Sequence, residues 1–388
     1  MSLTFDSARI PNPHLTEDHL AWRDALRRFV DKEIMPYAED WDEAGHIPIA
    51  LWPKAAEVGL LGAGYPEQYG GMETDSWHSW IINEELSRVG VGGLSASLMV
   101  HGIGLPPVIN WGTEAMKAEI APPVLRGESW ISLGITEPGG GSDVASLQTT
   151  AVRDGDHYIV NGSKTYITGG MRANYVSTAV RTGGDGATGV SMLLIPTDAE
   201  GFSRTALDKK MGWWASDTAT LYFDNVRVPI SNLIGQENQG FRVIMTNFNS
   251  ERMGMAAAME AYGRVCLEEA VNWARERQTF GKRLADHQVI RHKIAMMKQK
   301  LNATQAYIRI CYEAIEAGEA NAGDIALLKV QASEVMEFCA REAMQILGGV
   351  GYMRGNRVER IYREVRVNAI GGGSEEIMRD LASRQYGL

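Results

Sequence analysis

The sequence contains few cysteines and no long hydrophobic run. Among 388 residues there are three cysteines, and their spacing is not that of metal ligands. This number argues against a disulfide framework and favours a reducing compartment. No run of about 18 apolar residues appears, so we predict no membrane insertion. The N-terminal residues show no basic and then apolar signal segment and no arginine-rich transit segment, so we expect a cytoplasmic, bacterial-like protein.

Basic residues are fewer than acidic residues. The chain has 38 Lys and Arg against 48 Asp and Glu, which gives a formal net charge of −10 at pH 7. Because a negative surface repels polyanions, we expect no nucleic-acid partner. An anionic ligand would therefore need a local group of basic residues. The shares of hydrophobic residues (45%) and charged residues (22%) are those of an ordinary globular protein.

Several catalytic motifs are missing. The chain has no G-x-x-x-x-G-K-[ST], no G-x-S-x-G and no H-E-x-x-H. A single G-x-G-x-x-G, from Gly184 to Gly189, leads into a strand-like segment and so favours a hairpin loop over a dinucleotide site. His287 and His292 are five residues apart, which is off a shared helical face. We therefore predict neither a nicotinamide cofactor nor a metal.

The period of the apolar residues divides the chain into three parts. Residues 1–129 and 239–388 show helical spacing, and residues 130–238 contain short β-branched segments separated by Gly and Asp turns. Val289 to Ala317 keeps apolar residues three or four apart, which indicates a long bundle helix. The same spacing predicts other helices, among them 94–110, 241–278 and 324–347. Short β-branched segments predict strands, among them 175–181, 190–196 and 202–206. We predict an α+β multi-domain fold, with an N-terminal helical domain, a middle antiparallel β-barrel or sandwich domain and a C-terminal four-helix bundle.

The stretch from Trp130 to Gly170 is rich in glycine at a strand end. Pro138 has no N–H for a β-ladder, and the three glycines after it let the backbone approach a bulky ligand. Ser142 and Asp143 add polar groups, so a phosphate-bearing cofactor is one occupant of this turn. Turn chemistry alone is the other explanation, because glycine-rich hairpin corners are common in β proteins.

Longer motifs distinguish these two readings. Residues 136–143 read TEPGGGSD, residues 155–164 read GDHYIVNGSK, and residues 166–169 read YITG. This set resembles the acyl-CoA dehydrogenase family, with one extra glycine in the first motif. The resemblance continues at Lys210–Ala219, Phe223–Pro229, Arg277–Lys282 and Gln345–Tyr352, so it covers nearly the whole chain.

The resemblance implies a reaction and partners. Members of this family use FAD to oxidise a saturated acyl-CoA to the trans-2-enoyl-CoA, as in fatty acid β-oxidation, and pass electrons to an electron-transfer flavoprotein. The family norm is a homotetramer built as a dimer of dimers, so we expect at least a dimer.

The catalytic base is implied at one of two family positions. Most members carry a glutamate where this chain has Gly372, whereas long-chain and isovaleryl-type members carry it on the first helix of the last domain. That position is Glu251 here, and we predict it as the base. Gly372 would still offer its backbone N–H to the thioester carbonyl. The resemblance implies substrate contacts at Ser142, Asn249, Arg252 and Gly372.

The resemblance also implies the residues that hold FAD. In the subunit that binds the flavin ring they are Ile135, Thr136, Gly141, Ser142, Tyr166, Ile167 and Thr168, with Ser374 and Glu376 near the adenosine. From a neighbouring subunit they are Arg277, Phe280, Gln288, Gln345, Gly348 and Gly349.

Two other functions stay open at this point. A flavin oxidase or monooxygenase on the same fold would let the reduced flavin react with oxygen, but a base at Glu251 weighs against it. A non-enzymatic CoA- or partner-binding homologue is disfavoured because all of the flavin segments are present. A yellow colour on purification would distinguish this last case.

Overall fold

The structure is a computed structural model that describes residues 3–388. These residues form two compact units, each built from separated stretches of chain. The helical unit comprises residues 3–40, Asp75–Gly92 and Arg252–Leu388, and the β unit comprises Trp41–Thr74 and Gly93–Glu251. The domain boundaries that we place after residues 129 and 238 remain a prediction.

The first part of the chain is helical, as predicted. Its helices are α1 (Glu17–Phe29, continued by a π-helical turn Val30–Ile34), α2 (Ala38–Ala44), α3 (Leu51–Glu57), α4 (Ser76–Ser87), α5 (Gly92–Leu98), α6 (His101–Gly104), α7 (Pro106–Trp111) and α8 (Glu114–Leu125). Thr113 caps α8 by accepting the N–H of Met116, as expected for its side chain. The segment 94–110, predicted as one helix, is divided, and Pro106 begins a new helix because it has no N–H to donate.

The middle part is a β-sheet. Its strands are β1 (Ile131–Gly134), β2 (Thr150–Asp154), β3 (His157–Thr168), β4 (Tyr175–Arg181), β5 (Val190–Pro196), β6 (Phe202–Ala206), β7 (Thr218–Pro229) and β8 (Leu233–Ile234). The strand order is β6-β7-β3-β2-β4-β5-β8, with β1 beside β4. Most neighbours are antiparallel as predicted, but β1 pairs with β4 in parallel, and β2 meets β4 in parallel at one residue pair. The sheet is therefore mixed, because β1 reaches β4 only after a crossover through β2 and β3.

Strand β3 positions one of the predicted flavin segments. It pairs with β7 over its whole length, but the register shifts between Lys164 and Ile167. Tyr166, inside this irregularity, has φ 59°, a left-handed conformation that is uncommon for a residue with a side chain. A bulge re-aims the side chain of its extra residue. Tyr166 is accordingly 71% exposed, although its neighbour Ile167 is buried.

The last part is helical again. It contains α9 (Gly240–Glu276), a short hairpin of β9 (Gln278–Thr279) and β10 (Lys282–Arg283), α10 (Gln288–Glu316), α11 (Ala322–Leu347), α12 (Gly349–Tyr352), α13 (Arg357–Ile370) and α14 (Glu375–Gln385). The bounds of α9, α10 and α11 lie within two residues of the predicted ones. Helix α13 is not among the predicted helices, although Val358, Ile361 and Val365 are buried at helical spacing.

Helix α9 carries Glu251 and Arg252, and buried charges anchor it in the helical unit. Arg264 is fully buried and donates through Nε to both carboxylate oxygens of Glu260, at 3.1 and 3.0 Å. It also donates to Glu84 of α4. A buried charge that lost these partners would be costly, so this cluster fixes α9 against α4.

Within residues 3–388, no single helix has the length and apolar composition of a membrane span. The pair Gly92–Leu98 and His101–Trp111, bent by 54°, reaches that composition only when both parts are counted together.

Candidate active site

The two flavin motifs of the β unit meet in the structure. The N–H of Thr165 donates to the carbonyl of Thr136 at 2.8 Å, which joins the segment after β1 to strand β3. The Ser132 hydroxyl donates to the carbonyl of Thr168 at 2.9 Å. Gly141 lies against Thr136, since a Cβ added to Gly141 would come within 3.2 Å of Thr136 Cγ2. Residues 135–142 and 164–168, which we call the cradle, therefore form one surface.

A buried ion pair lies under the cradle. Lys164 Nζ donates to Glu137 Oε1 at 2.7 Å and to the carbonyl of Ile135 at 3.1 Å, and its side chain is fully buried. Burial lowers the pKa of Lys164 to about 8, although Glu137 opposes that shift. Burial opposes ionisation of Glu137, but the Lys164 charge and hydrogen bonds hold its pKa below the ordinary value.

Glu137 also closes the glycine-rich turn. Its carboxylate accepts the backbone N–H groups of Gln148 at 2.6 Å and Thr149 at 2.8 Å. Glu137 thus precedes the three glycines in the chain, and its side chain bonds the residues that follow this segment, so one residue holds both ends of it. Among the described residues, none would touch a Cβ added to Gly139 or Gly140 within 4 Å. Protein packing therefore does not require glycine there, which is the expected situation where a ligand approaches the backbone.

The segment after Tyr166 is held by Asp217, which lies in the motif Lys210–Ala219. The backbone carbonyl of Asp217 accepts the N–H of Gly169 at 3.0 Å, and its carboxylate accepts the N–H of Met171 at 2.8 Å. Lys210 Nζ fixes the Asp217 loop by donating to the Trp213 carbonyl at 2.8 Å and to Thr218 Oγ1 at 3.0 Å. This motif therefore fixes the segment Gly169–Met171, which follows the flavin segment 166–168.

Helix α9 brings the predicted base next to an anchored arginine. Asn249 and Glu251 are half-buried, and Arg252 is only 6% exposed. Arg252 Nε donates to the carbonyl of Gly372 at 3.1 Å. Arg252, predicted as a substrate residue, thus contacts the segment that was predicted to carry the oxyanion donor.

That segment, Gly371–Gly373, is a left-handed turn between α13 and α14, and we call it the glycine turn. Gly372 has φ 66° and Gly373 has φ 105°, and a Cβ on Gly373 would come within 2.3 Å of Met378 Cε. Ser374 caps α14 by accepting the N–H of Ile377. Lys329 of α11, which is fully buried, donates through Nζ to the Gly373 carbonyl at 2.7 Å.

Ser374 and Glu376 already have partners within the protein. The Ser374 hydroxyl accepts the N–H of Ile377, and the backbone N–H of Glu376 and the Ser374 side chain lower the pKa of the Glu376 carboxylate below its ordinary value. Such bonds are typical of a helix N-terminus. The predicted contact of both residues with adenosine remains a prediction.

The six residues predicted to reach a neighbouring subunit all lie on the surface of the helical unit. Phe280, at the tip of the β9–β10 hairpin, is 95% exposed with φ 50°. All six residues of the set are exposed, namely Arg277, Phe280, Gln288, Gln345, Gly348 and Gly349. An exposed aromatic residue in a left-handed conformation gains little from its own fold, so this surface suits a partner.

One group of side chains in residues 3–388 has donor atoms close enough for a metal ion. Atoms of His19, Asp75 and His78 lie within 4.8 Å of one another. The N–H of Thr16 donates to His19 Nδ1 at 3.0 Å, so the ring proton is on Nε2, which donates to Asp75 at 3.0 Å. Asp75 also caps α4 through the N–H of His78. These contacts join two helix ends, which is a structural role.

The structure adds four supporting residues to the predicted set. Glu137 and Lys164 lie inside quoted motifs, and Asp217 lies in a third, so the signal for each was present in the sequence. Lys329 had no such signal, because it reaches the glycine turn from a helix 44 residues earlier. None of these four side chains was assigned a role from the sequence.

The chain matches one protein family along nearly its whole length. The family models for the acyl-CoA dehydrogenase N-terminal, middle and C-terminal domains match residues 16–128, 132–226 and 238–387. An acyl-CoA dehydrogenase, AFT10-1 of Alternaria alternata, is 38% identical over 401 residues, covering 97% of this chain and 93% of that protein.

Two solved structures extend the comparison. A probable acyl-CoA dehydrogenase from Mycobacterium abscessus has a TM-score of 0.94 and 45% identity, and the match covers 96% of this chain and 99% of that one. A glutaryl-CoA dehydrogenase from Mycobacterium smegmatis, solved in complex with FADH2, has a TM-score of 0.90 and 26% identity, covering 96% and 95%. The three-part fold predicted from the sequence, helical then β then helical, is confirmed by these matches.

Proposed function

This chain belongs to the acyl-CoA dehydrogenase family, and we propose that it is an FAD-dependent enzyme that converts a saturated acyl-CoA to the trans-2-enoyl-CoA. The observation that carries this proposal is on α9 and the glycine turn. Glu251 occupies a family position for the base, and the next residue, Arg252, bonds to the Gly372 carbonyl. Glu251 is half-buried, which suits a group that exchanges a proton with a substrate.

The residues of the cradle fit a flavin. Tyr166 is exposed, and Asp217 holds the segment that follows it through the N–H groups of Gly169 and Met171. Gly139 and Gly140 leave their side-chain space open, and Ser142 is exposed. A flat aromatic ligand with hydrogen-bonding edges needs such a ring, hydroxyl groups and bare backbone. The residues that would hold FAD are those predicted from the sequence. Bound FAD would supply the acceptor for the hydride that leaves Cβ.

The protein residues have two tasks in this reaction. The carboxylate of Glu251 takes a proton from Cα of the acyl group, and the negative charge then develops on the thioester oxygen. Gly372 N–H would donate to that oxygen, so the turn favours the charged form. We assign further acyl-CoA contacts to Ser142, Asn249 and Arg252.

We further propose a homotetramer built as a dimer of dimers, in which FAD contacts two subunits. The exposed set that includes Arg277 and Phe280 supports this assembly. The electron acceptor that we propose is an electron-transfer flavoprotein, and the pathway is fatty acid β-oxidation. We also propose a cytoplasmic location, because Cys266, Cys311 and Cys339 are free and buried, as in a reducing compartment.

Anaerobic mixing with a panel of saturated acyl-CoAs tests the proposal. The flavin absorbance should bleach with at least one chain length, and the trans-2-enoyl-CoA should appear in equal amount. Admitting oxygen separates this function from an oxidase or monooxygenase, because a dehydrogenase with bound product should reoxidise slowly with oxygen and fast with electron-transfer flavoprotein. A yellow protein that no acyl-CoA bleaches would contradict the proposal.

A further inference from the structure

Two buried cations bond successive carbonyl groups of the glycine turn. Arg252 Nε donates to the Gly372 carbonyl at 3.1 Å, and Lys329 Nζ donates to the Gly373 carbonyl at 2.7 Å. Arg252 is 6% exposed and Lys329 is fully buried. Charged donors make hydrogen bonds roughly twice as strong as neutral ones, so these are strong attachments for a short turn.

Together with one backbone bond before it, these two bonds bracket the peptide group that carries the Gly372 N–H. On the N-terminal side, the N–H of Gly371 donates to the Val367 carbonyl at 2.7 Å and closes α13. On the C-terminal side, the next two peptide planes are held through their carbonyl oxygens by Arg252 and Lys329. A planar peptide between fixed neighbours has little freedom to rotate. The direction of the Gly372 N–H is therefore set from outside the turn.

The Gly372 N–H is the free group of this arrangement. Within residues 3–388 it donates to no protein acceptor, whereas both carbonyls that follow it are bonded. Glycine adopts left-handed conformations readily, so without these attachments a turn with φ 66° and 105° would sample other geometries. A donor that stabilises developing charge has to be fixed before the reaction.

We propose that Lys329 is a positioning residue that fixes the Gly372 N–H toward the substrate thioester oxygen. This inference rests on the proposed function, because it gives the Gly372 N–H a partner on acyl-CoA. Lys329 does not touch the substrate and acts through the Gly373 carbonyl. Its positive charge behind the turn also favours negative charge on an oxygen in front of it.

The test uses holoenzyme with Lys329→Met and the hydrogen-bonding variant Lys329→Gln. The probe is the trans-2-enoyl-CoA, ¹³C-labelled at the carbonyl, of the chain length that best bleaches the wild-type flavin. Its carbonyl stretching frequency, measured by Raman difference spectroscopy, falls when the oxygen accepts a hydrogen bond. We expect Lys329→Met to lose most of that fall and to lower kcat about 10- to 100-fold with a smaller change in KM. Lys329→Gln should retain an intermediate fall.

The matched control is Ser333→Ala, one turn further along α11. Ser333 is buried and its hydroxyl bonds Glu375 at 2.9 Å, just after the turn, so this variant tests a structural contact that does not end on the turn. It should reduce stability and leave the carbonyl frequency unchanged. If Lys329→Met does not fold, the comparison of Lys329→Gln with the wild type decides the test. A folded Lys329 variant with the wild-type frequency and kcat would overturn the inference, whereas absence of bleaching in the wild type would overturn the proposed function instead.

Discussion

Two glycine-rich turns of this molecule are each held by a buried lysine, but the lysines reach their turns differently. In the β unit, Lys164 bonds the Glu137 carboxylate 27 residues earlier, on the segment that follows β1. In the helical unit, Lys329 bonds the Gly373 carbonyl 44 residues later, across two helices. The cradle is therefore stabilised by a charge pair between its own two segments, whereas the glycine turn depends on distant elements. We expect damage to the first to unfold the β unit and damage to the second to disturb geometry.

The largest effect should come from Glu251, which belongs to neither turn. Because Glu251→Gln removes the base and keeps the shape, the rate of flavin reduction should fall about 10²–10⁴-fold while FAD stays bound. Anaerobic stopped-flow absorbance measures this rate. Glu276→Gln, at the exposed end of the same helix, is the control. Wild-type reduction by Glu251→Gln would contradict both the base and the dehydrogenase mechanism.

Replacing Lys164 of the cradle should have the next largest effect, which is on the stability of the protein. Lys164→Met leaves Glu137 ionised and buried without its charge partner, which typically costs about 3–5 kcal/mol. Urea unfolding followed by circular dichroism gives the free energy. Lys209→Met removes an exposed lysine of the same unit and should change it little. A Lys164→Met protein as stable as Lys209→Met would remove the contrast between the two turns.

Arg277→Ala tests a third surface, the exposed set that includes Arg277 and Phe280. If Arg277 binds the FAD of a neighbouring subunit, losing a charged hydrogen bond should weaken FAD binding about 10- to 100-fold. FAD titration of the apoprotein and sedimentation velocity measure affinity and assembly. Arg283→Ala, which removes an exposed cation of the same hairpin that pairs with Asp286, is the control. Full FAD occupancy with an unchanged assembly would exclude the bridging arrangement.

The charge state of Lys164 gives the cradle a pH dependence. Its pKa is about 8 in the folded chain and near 10.5 when unfolded, so between these values the unfolded chain binds more protons. Its contribution to stability therefore rises as pH increases from about 8 to 10.5 and is lost as pH falls through 8. The wild type should gain on the order of 1–3 kcal/mol relative to Lys164→Met over this range. Urea unfolding of both proteins across that range, with Lys209→Met as reference, checks the sign, and a constant difference would contradict it.

Much of the fold and part of the site could be predicted from the sequence. The pattern of apolar and turn residues predicted β4, β5 and β6 with their observed bounds, because strands and turns depend on local sequence. The parallel pairing of β1 with β4 could not be predicted, because it depends on a crossover and not on composition. Glu137 and Lys164 were visible in motifs but had no role until their distance was known. The role of Lys329 could not be predicted, because one lysine on a helix carries no information about a carbonyl 44 residues away.

The smallest effect concerns moving the base into the glycine turn. In the family the two base positions are alternatives, so Glu251→Gly with Gly372→Glu should reduce flavin faster than Glu251→Gly alone. Recovery should be partial, because Gly372 has φ 66° and a residue with a side chain there costs about 1–2 kcal/mol. The Arg252 bond to the Gly372 carbonyl opposes relaxation of that strain. Gly372→Ala measures the strain without a carboxylate and should lower the melting temperature in the same way. If the double variant were no faster than Glu251→Gly while Gly372→Ala kept wild-type stability, strain could not explain the failure, and the two positions would not be interchangeable in this chain.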